Sequence, residues 1–269
     1  MRIYNNINAT NVQNTLTLTN RDMAKSLEKL STGLRINRAS DDAAGLSVSE
    51  GLRTQIRGSQ MAQRNANDGL AMLQIAEAGT QQITDSLQRM RELAIQSANG
   101  TYGNIERGYI NQEYQALACE IARIALAVTY NGIPLLASTT MFSFQISAAS
   151  TGTSSTISFT PLDLSTGLTF GAVSLQSDAQ IAISQIDTIL SSVLSLRATV
   201  GATMNRLEAT VTNLGAMVTN YSDAESRIRD TDFAAETTRF TRSQILTQSA
   251  NSMLSQANQL PKNVLSLLQ

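Results

Sequence analysis

The sequence predicts a mainly α protein, an elongated coiled-coil-like helix bundle carrying a small β-hairpin region. Three observations predict it. Proline occurs only at Pro134, Pro161 and Pro261. Residues 1–133 and 162–260 therefore lack the one residue that costs a helix interior about 3 kcal/mol. Apolar residues recur at helical spacing through most of those stretches. Aromatic residues make up only 4% of the chain and Trp is absent, so Leu, Ile, Val, Met and Ala must do the packing that large rings do in a deep core.

The first apolar series lies near the N-terminus, where Leu16, Met23 and Leu30 are seven apart and Leu27 and Leu34 occupy the neighbouring position. A second long series runs through Leu70, Leu73, Ile83, Leu87, Met90 and Ala94, and a third through Ile110, Tyr114, Leu117, Ile121, Ile124 and Val128. Between them and the C-terminal half, residues 138–177 change character. Phe142, Phe144 and Ile146 alternate with Ser143, Gln145 and Ser147, and Thr156–Thr160 alternates again after a run of small residues. That is a hairpin pattern.

The strongest series follows: Ile186, Val193, Val200, Leu207, Leu214, Tyr221 and Ile228 sit at unbroken heptad spacing, predicting a helix of about 40 residues that packs along one seam. Ser177 and Gln180 offer a capping box ahead of it. The last series is Leu246, Ala250, Met253, Ala257, Leu260, Val264 and Leu267. Charge is almost missing at the two ends, since residues 1–20 carry only Arg2 and residues 243–269 only Lys262. An apolar stripe on an uncharged, hydroxyl- and amide-rich helix makes a poor solvent-facing element, and an isolated helix of that kind is marginal in water. Both ends are expected to order only on finding partners.

Composition excludes several classes of function. The net charge is −1, giving no electrostatic footprint for nucleic acid or an anionic membrane. There is no run of 18 apolar residues to predict membrane insertion. His is absent, which removes the commonest general base and metal ligand. With no Gly-rich phosphate loop and no Cys cluster, no enzyme activity and no cofactor are expected. The single Cys119 reads as a small packed residue. Asp41 and Asp42 read as a helix start capped by Ser40 or Asp41. The N-terminus has no apolar segment of the signal-peptide type.

Long stretches of the chain resemble the bacterial flagellins. They are Leu27–Leu46 (LEKLSTGLRINRASDDAAGL), Gln88–Gly100 (QRMRELAIQSANG), Tyr130-Asn131-Gly132, Ser243–Leu246 and Gln256–Leu268 (QANQLPKNVLSLL). The resemblance covers roughly 1–137 and 178–269, with only the short 138–177 segment where many members carry large variable domains. It departs at Ala122, where the family has an acidic residue, and at the unusually apolar Ala125–Val128. That departure implies a third helix buried on more than one face, or additional lateral or outer-layer contacts.

The resemblance implies pairing of the N- and C-terminal helices in an inner core domain, residues 1–43 with 229–269. It implies an outer helical domain, residues 44–177 including the hairpin segment, with 178–228. The implied function is a structural subunit polymerising into the flagellar filament for swimming motility. The alternative is a hook–filament junction protein, and a surface protein binding sugars or host cells is a third reading that rests on 138–177 alone. Assembly would fall to Leu16, Met23, Leu27, Leu30, Leu246, Met253, Leu260, Val264 and Leu267. Arg89, Leu93 and Glu113 are implied as a protofilament contact and as the patch met by the Toll-like immune receptor. Further implied partners are copies of the same chain, the flagellar cap and hook-junction proteins, and a cytoplasmic export chaperone at the C-terminal helix. The implied location is the extracellular filament, reached through the flagellar type III apparatus without a cleaved signal peptide.

Overall fold

A computed structural model describes residues 6–148, 155–164 and 170–266, with side chains up to residue 259 in the last segment. Five helices and four short strands occur among them. Helix α1 spans Ile7–Thr32, α2 Ala43–Ala98, α3 Asn104–Ala127, α4 Gln176–Arg229 and α5 Phe233–Ser266. Two hairpins, β1 (Thr129–Tyr130) with β2 (Ile133–Pro134) and β3 (Phe142–Gln145) with β4 (Thr156–Phe159), lie between α3 and α4. The chain forms two compact units, residues 1–54 with 220–269 and residues 55–219. The divisions fall within α2 and α4 rather than in loops.

Local chemistry sets most helix ends. Asn6 caps α1 by accepting from the Ala9 N–H at 3.1 Å, and Gly33, at φ +72°, closes it with an N–H to the Lys29 carbonyl. The start of α2 is a correction: neither Ser40 nor Asp41 caps it. Asp42 does, through Oδ1 to the Gly45 N–H at 2.9 Å. Asp41 instead accepts from the Asn37 and Arg38 N–H groups in the preceding loop. Those backbone donors, Arg38 foremost, hold its carboxyl below the ordinary value. The capping box at Ser177 does not form either. Helix α4 already starts at Gln176, the Leu175 carbonyl takes the Ala179 N–H, and the Ser177 hydroxyl turns to Asp178. At α5, Asp232 Oδ1 accepts from both Ala234 and Ala235 N–H groups.

In the unit of residues 55–219, α2, α3 and α4 pack along the seams their spacing predicts. Ile83, Leu87, Met90, Tyr114, Ile121, Ile186, Val193, Val200 and Leu207 are buried in one apolar cluster. The heptad helix is apolar and long enough by composition to cross a membrane, and 28% of that apolar stretch is buried inside the protein. Buried Arg107 of α3 closes the far end of α2, donating to the Ser97 and Asn99 carbonyls. Ser97 in turn donates to the Val173 carbonyl at 2.6 Å, tying in the segment before α4.

The hairpins are seated by glycines of α2. The predicted hairpin forms with Phe142 opposite Phe159 and Phe144 opposite Ile157, all on the inner face. A Cβ at Gly69 would meet the Phe144 ring at 3.0 Å, and one at Gly79 would meet Val128 at 2.7 Å and Leu136 at 3.0 Å. Asn65 adds a hydrogen bond to the Gln145 carbonyl. The Tyr130-Asn131-Gly132 motif is the turn of β1–β2, with Asn131 at φ +51° and Gly132 at φ +77°, the two left-handed positions that this hairpin requires.

Two further expectations change. Cys119 is exposed on α3 rather than packed. Of the apolar end of α3, Ile124 and Ala125 are buried but Leu126 is 62% exposed, so the helix is not buried on every face.

Candidate assembly site

Helices α1 and α5 run antiparallel. Asn6 Nδ2 donates to the Ala257 carbonyl at 2.8 Å at one end, and Leu34 pairs with Asp230 at the other. Arg35 fastens that second end, its N–H bonding the Arg229 carbonyl and its guanidinium the Ile228 carbonyl at 2.7 Å. Arg229 pairs with Glu50 at 2.8 Å.

The seam between the two helices is narrow and mixes large apolar residues with small ones. On α1 the covered positions are Val12, Leu16, Thr19, Met23, Ser26 and Leu30, in alternating steps of four and three. On α5 they are Glu236, Phe240, Ser243, Thr247, Ala250, Leu254 and Ala257. Only Thr19, Ser26, Glu236 and Ala257 are fully buried. Two of the hydroxyls are satisfied within the pair: Thr19 bonds back to the Thr15 carbonyl and Thr247 reaches Asn20.

Leu16, Met23 and Leu30 lie half-buried in this seam. Leu27 does not, being 56% exposed one position to the side, and Leu246 and Met253 are 51% and 60% exposed on the outer face of α5. The sequence stripe on the last helix is therefore split. Its alanines, Ala250 and Ala257, face α1, while its large side chains face away. Leu246 joins Ile245, Thr237, Thr238, Thr241 and Arg242 around an open groove of about 520 Å³. The side chains of Leu260 and Val264, and Leu267 altogether, lie outside the described residues. What the seam reading missed is that period alone finds a stripe without saying which partner it faces; the run of small residues one step aside was the available signal.

The second set of predicted residues lies on α2 and α3. Arg89 and Glu113 come together, with Arg89 donating at 2.7 Å to Glu113 and at 3.1 Å to Glu92. The hydrogen bond to Glu113, with that to Glu92, raises the Arg89 pKa above its ordinary value. Leu93 is only 2% exposed and belongs to the core. The surface there is thus made by the exposed ion pair, with Leu93 beneath it rather than beside it. No His, Cys, Asp and Glu grouping suited to a metal ion occurs among the described residues.

This arrangement defines a class: a helical subunit whose paired terminal helices leave large apolar side chains uncovered. Comparison with known proteins identifies it further. Residues 3–141 match the bacterial flagellin N-terminal helical region, and residues 183–268 the bacterial flagellin C-terminal helical region. The chain is 43% identical to a flagellin of Halalkalibacterium halodurans and 40% identical to a flagellin of Bacillus subtilis, in each case over the full length of both proteins. It is 41% identical, again over both full lengths, to the flagellar filament 33 kDa core protein of Treponema phagedenis. Among solved structures, Bacillus cereus flagellin superposes with a TM-score of 0.51 at 31% identity, covering 56% of this chain and 88% of that one. The chain belongs to the bacterial flagellin family and is a filament subunit that polymerises with copies of itself. Nothing in these relatives favours the hook–filament junction alternative.

Proposed function

We propose that polymerisation proceeds through the outer faces of α1 and α5. The observation that carries this reading is the exposure of Leu27, Leu246 and Met253 on the terminal helices, the last two in a stretch, 243–261, that carries no charge. In a single chain these side chains cost solvation without return, and a neighbouring copy's terminal helices would cover them at about 25 cal/mol per Å². Ordering both ends opposes that gain, which couples their folding to assembly. Residues 1–43 and 229–269, with Leu260, Val264 and Leu267, form the inner polymerising domain. Residues 44–177 and 178–228 form the surrounding layer. The 138–177 segment is short enough to leave that layer bare, and exposed Leu126 marks a further contact on it.

The Arg89–Glu113 pair supplies a contact along the protofilament, and its neighbourhood is the patch a Toll-like immune receptor would meet. The C-terminal helix is the segment a cytoplasmic export chaperone would hold, since its apolar face has no partner before assembly. The cap and hook-junction proteins would engage the same terminal pairing at the filament ends. Export proceeds without a cleaved signal peptide, and the subunit's role is structural rather than catalytic. Deleting residues 243–269 tests the central point. The truncated chain is expected to be a soluble, partly helical monomer that does not sediment as polymer under conditions where the full chain does; filaments of ordinary stability from it would overturn the reading.

A further inference from the structure

Helix α3 carries two seams, and only one of them is used within the chain. The inward seam is Ile110, Tyr114, Leu117, Ile121 and Ile124, which lie in or against the apolar cluster of the bundle. Displaced from it by two residues runs a second series: Ile105, Tyr109, Gln112, Ala116, Cys119, Arg123 and Leu126. Its steps alternate four and three without a break, and a displacement of two residues is about 200° around a helix, so it occupies the opposite face. All of these positions are exposed, with Ile105 at 71%, Tyr109 at 67% and Leu126 at 62%.

That face has the make-up of a contact between chains rather than of a solvated surface. Large apolar and aromatic side chains with an arginine are what the covered centre of such a contact favours, and lysine and acidic residues are what it lacks. The one charge in the series, Arg123, brings its own counter-charge, Glu120 at 2.5 Å, so covering it strands no lone ion. Ala116 and Cys119 in the middle are small enough for another backbone to come close. The other helices of the bundle face outward differently. At the same spacing α2 interrupts its exposed side with Arg64, Asp68, Asp85, Arg89 and Glu92, and α4 builds much of its own from Ser184, Thr188, Ser191 and Ser195.

The size of the face decides what covers it. Seven positions on one helix fall well short of the roughly 20–30 residues a side that a free-standing complex uses. A contact that small is effective only between molecules already held together, where the second attachment is intramolecular in effect. Copies of this chain joined by their terminal helices are in that situation. We propose, on the basis of polymerisation through those helices, that the outward seam of α3 is a copy-to-copy contact of the outer layer. In the polymer it lies against a different surface of a neighbouring copy, as an open helical assembly requires, and Cys119 is covered there.

Cys119 is the single thiol of the chain and reports on this contact without any substitution. Unsubstituted chains are treated briefly with a maleimide as monomers and as sedimented, resuspended filaments, and the rate of modification is read by mass spectrometry. The monomer is expected to react as an exposed thiol and the filament at least fivefold more slowly. Any smaller slowing overturns the proposal, since the face is then open to solvent or to a different protein. Ala116→Glu checks that the seam itself makes the contact. Ala116 is exposed, so helix content and thermal unfolding of the monomer should not change, while the critical concentration for polymerisation rises at least fivefold. A protected Cys119 with a smaller rise for Ala116→Glu also overturns the proposal, because something other than the seam then shields the thiol. The two readings fail differently. Filaments from chains lacking residues 243–269 refute assembly through the terminal helices, whereas ordinary filaments with a reactive Cys119 refute this contact alone.

Discussion

Replacing Leu246 and Met253 by Ala separates folding from assembly. Full burial of a Leu or Met side chain is worth roughly 1.5–3 kcal/mol. These two are already 51% and 60% exposed in the single chain, so about half of that value, or roughly 1 kcal/mol each, remains to be gained when a neighbour covers them. The double variant forfeits about 2 kcal/mol per subunit added, which raises the critical concentration for polymerisation about 30-fold. The assay is sedimentation of polymer over a concentration series, with helix content and thermal unfolding of the monomer measured in parallel. The monomer is expected to be unchanged, because neither side chain reaches the seam. Ala257→Leu is the useful contrast: it enlarges a residue buried at 8% exposure between α1 and α5, and so harms the pairing itself. A critical concentration within twofold of the unsubstituted chain for the Leu246/Met253 variant would refute the assignment of the outer face.

Two further predictions concern the unit of residues 55–219. The Tyr114 hydroxyl is fully buried with no hydrogen-bond partner among the described residues, its ring meeting Phe170 edge-on at 6.4 Å, and burial pushes its pKa up to about 12. Tyr114→Phe removes an unmet polar group, so thermal unfolding should move upward, by about 1–2 kcal/mol of stability. Because the folded pKa lies above the ordinary 10, the native protein is unaffected below pH 10 and loses stability as the pH rises from there through about 12; the Phe variant should lose less over that window in alkaline unfolding. The glycines of α2 and α4 should respond with opposite sign. Gly79→Ala drives a methyl to 2.7 Å from Val128 and 3.0 Å from buried Leu136 and should destabilise by roughly 1–2 kcal/mol, whereas Gly201→Ala, with nothing within 4 Å, should stabilise by about 0.5–1 kcal/mol in chemical denaturation.

The helices of residues 55–219 were legible because their seams are made of large apolar residues at heptad spacing. Ile186 through Leu214 recur without interruption, and a residue of that size at that period has nowhere to go but the core. The hairpin was legible for the same reason at period two, through Phe142, Phe144, Ile157 and Phe159. Helix starts were less so. Asp41 and Asp42 are chemically equal as caps, and only the loop that draws Asp41 back to the Asn37 and Arg38 N–H groups leaves Asp42 for the helix. The terminal helices were the hardest case, because the fully buried positions of their inner seam are Thr19, Ser26, Glu236 and Ala257, which carry almost no hydropathy signal. Leu27, Leu246 and Met253 dominate the pattern there and yet lie outside the pair.

That inversion is itself an argument about the polymer. In a protein that ends its folding as a single chain, the largest apolar residues of an amphipathic helix are the first to be covered and the small polar ones are left outside. Here Thr19, Ser26 and Ala257 are fully covered within the chain, Leu16, Met23 and Leu30 only half, and Leu27, Leu246 and Met253 are left exposed. The covered stripe on each helix follows a single seam, so the flanks on either side stay open. Large residues on those flanks give each copy something to bury only when other copies are present.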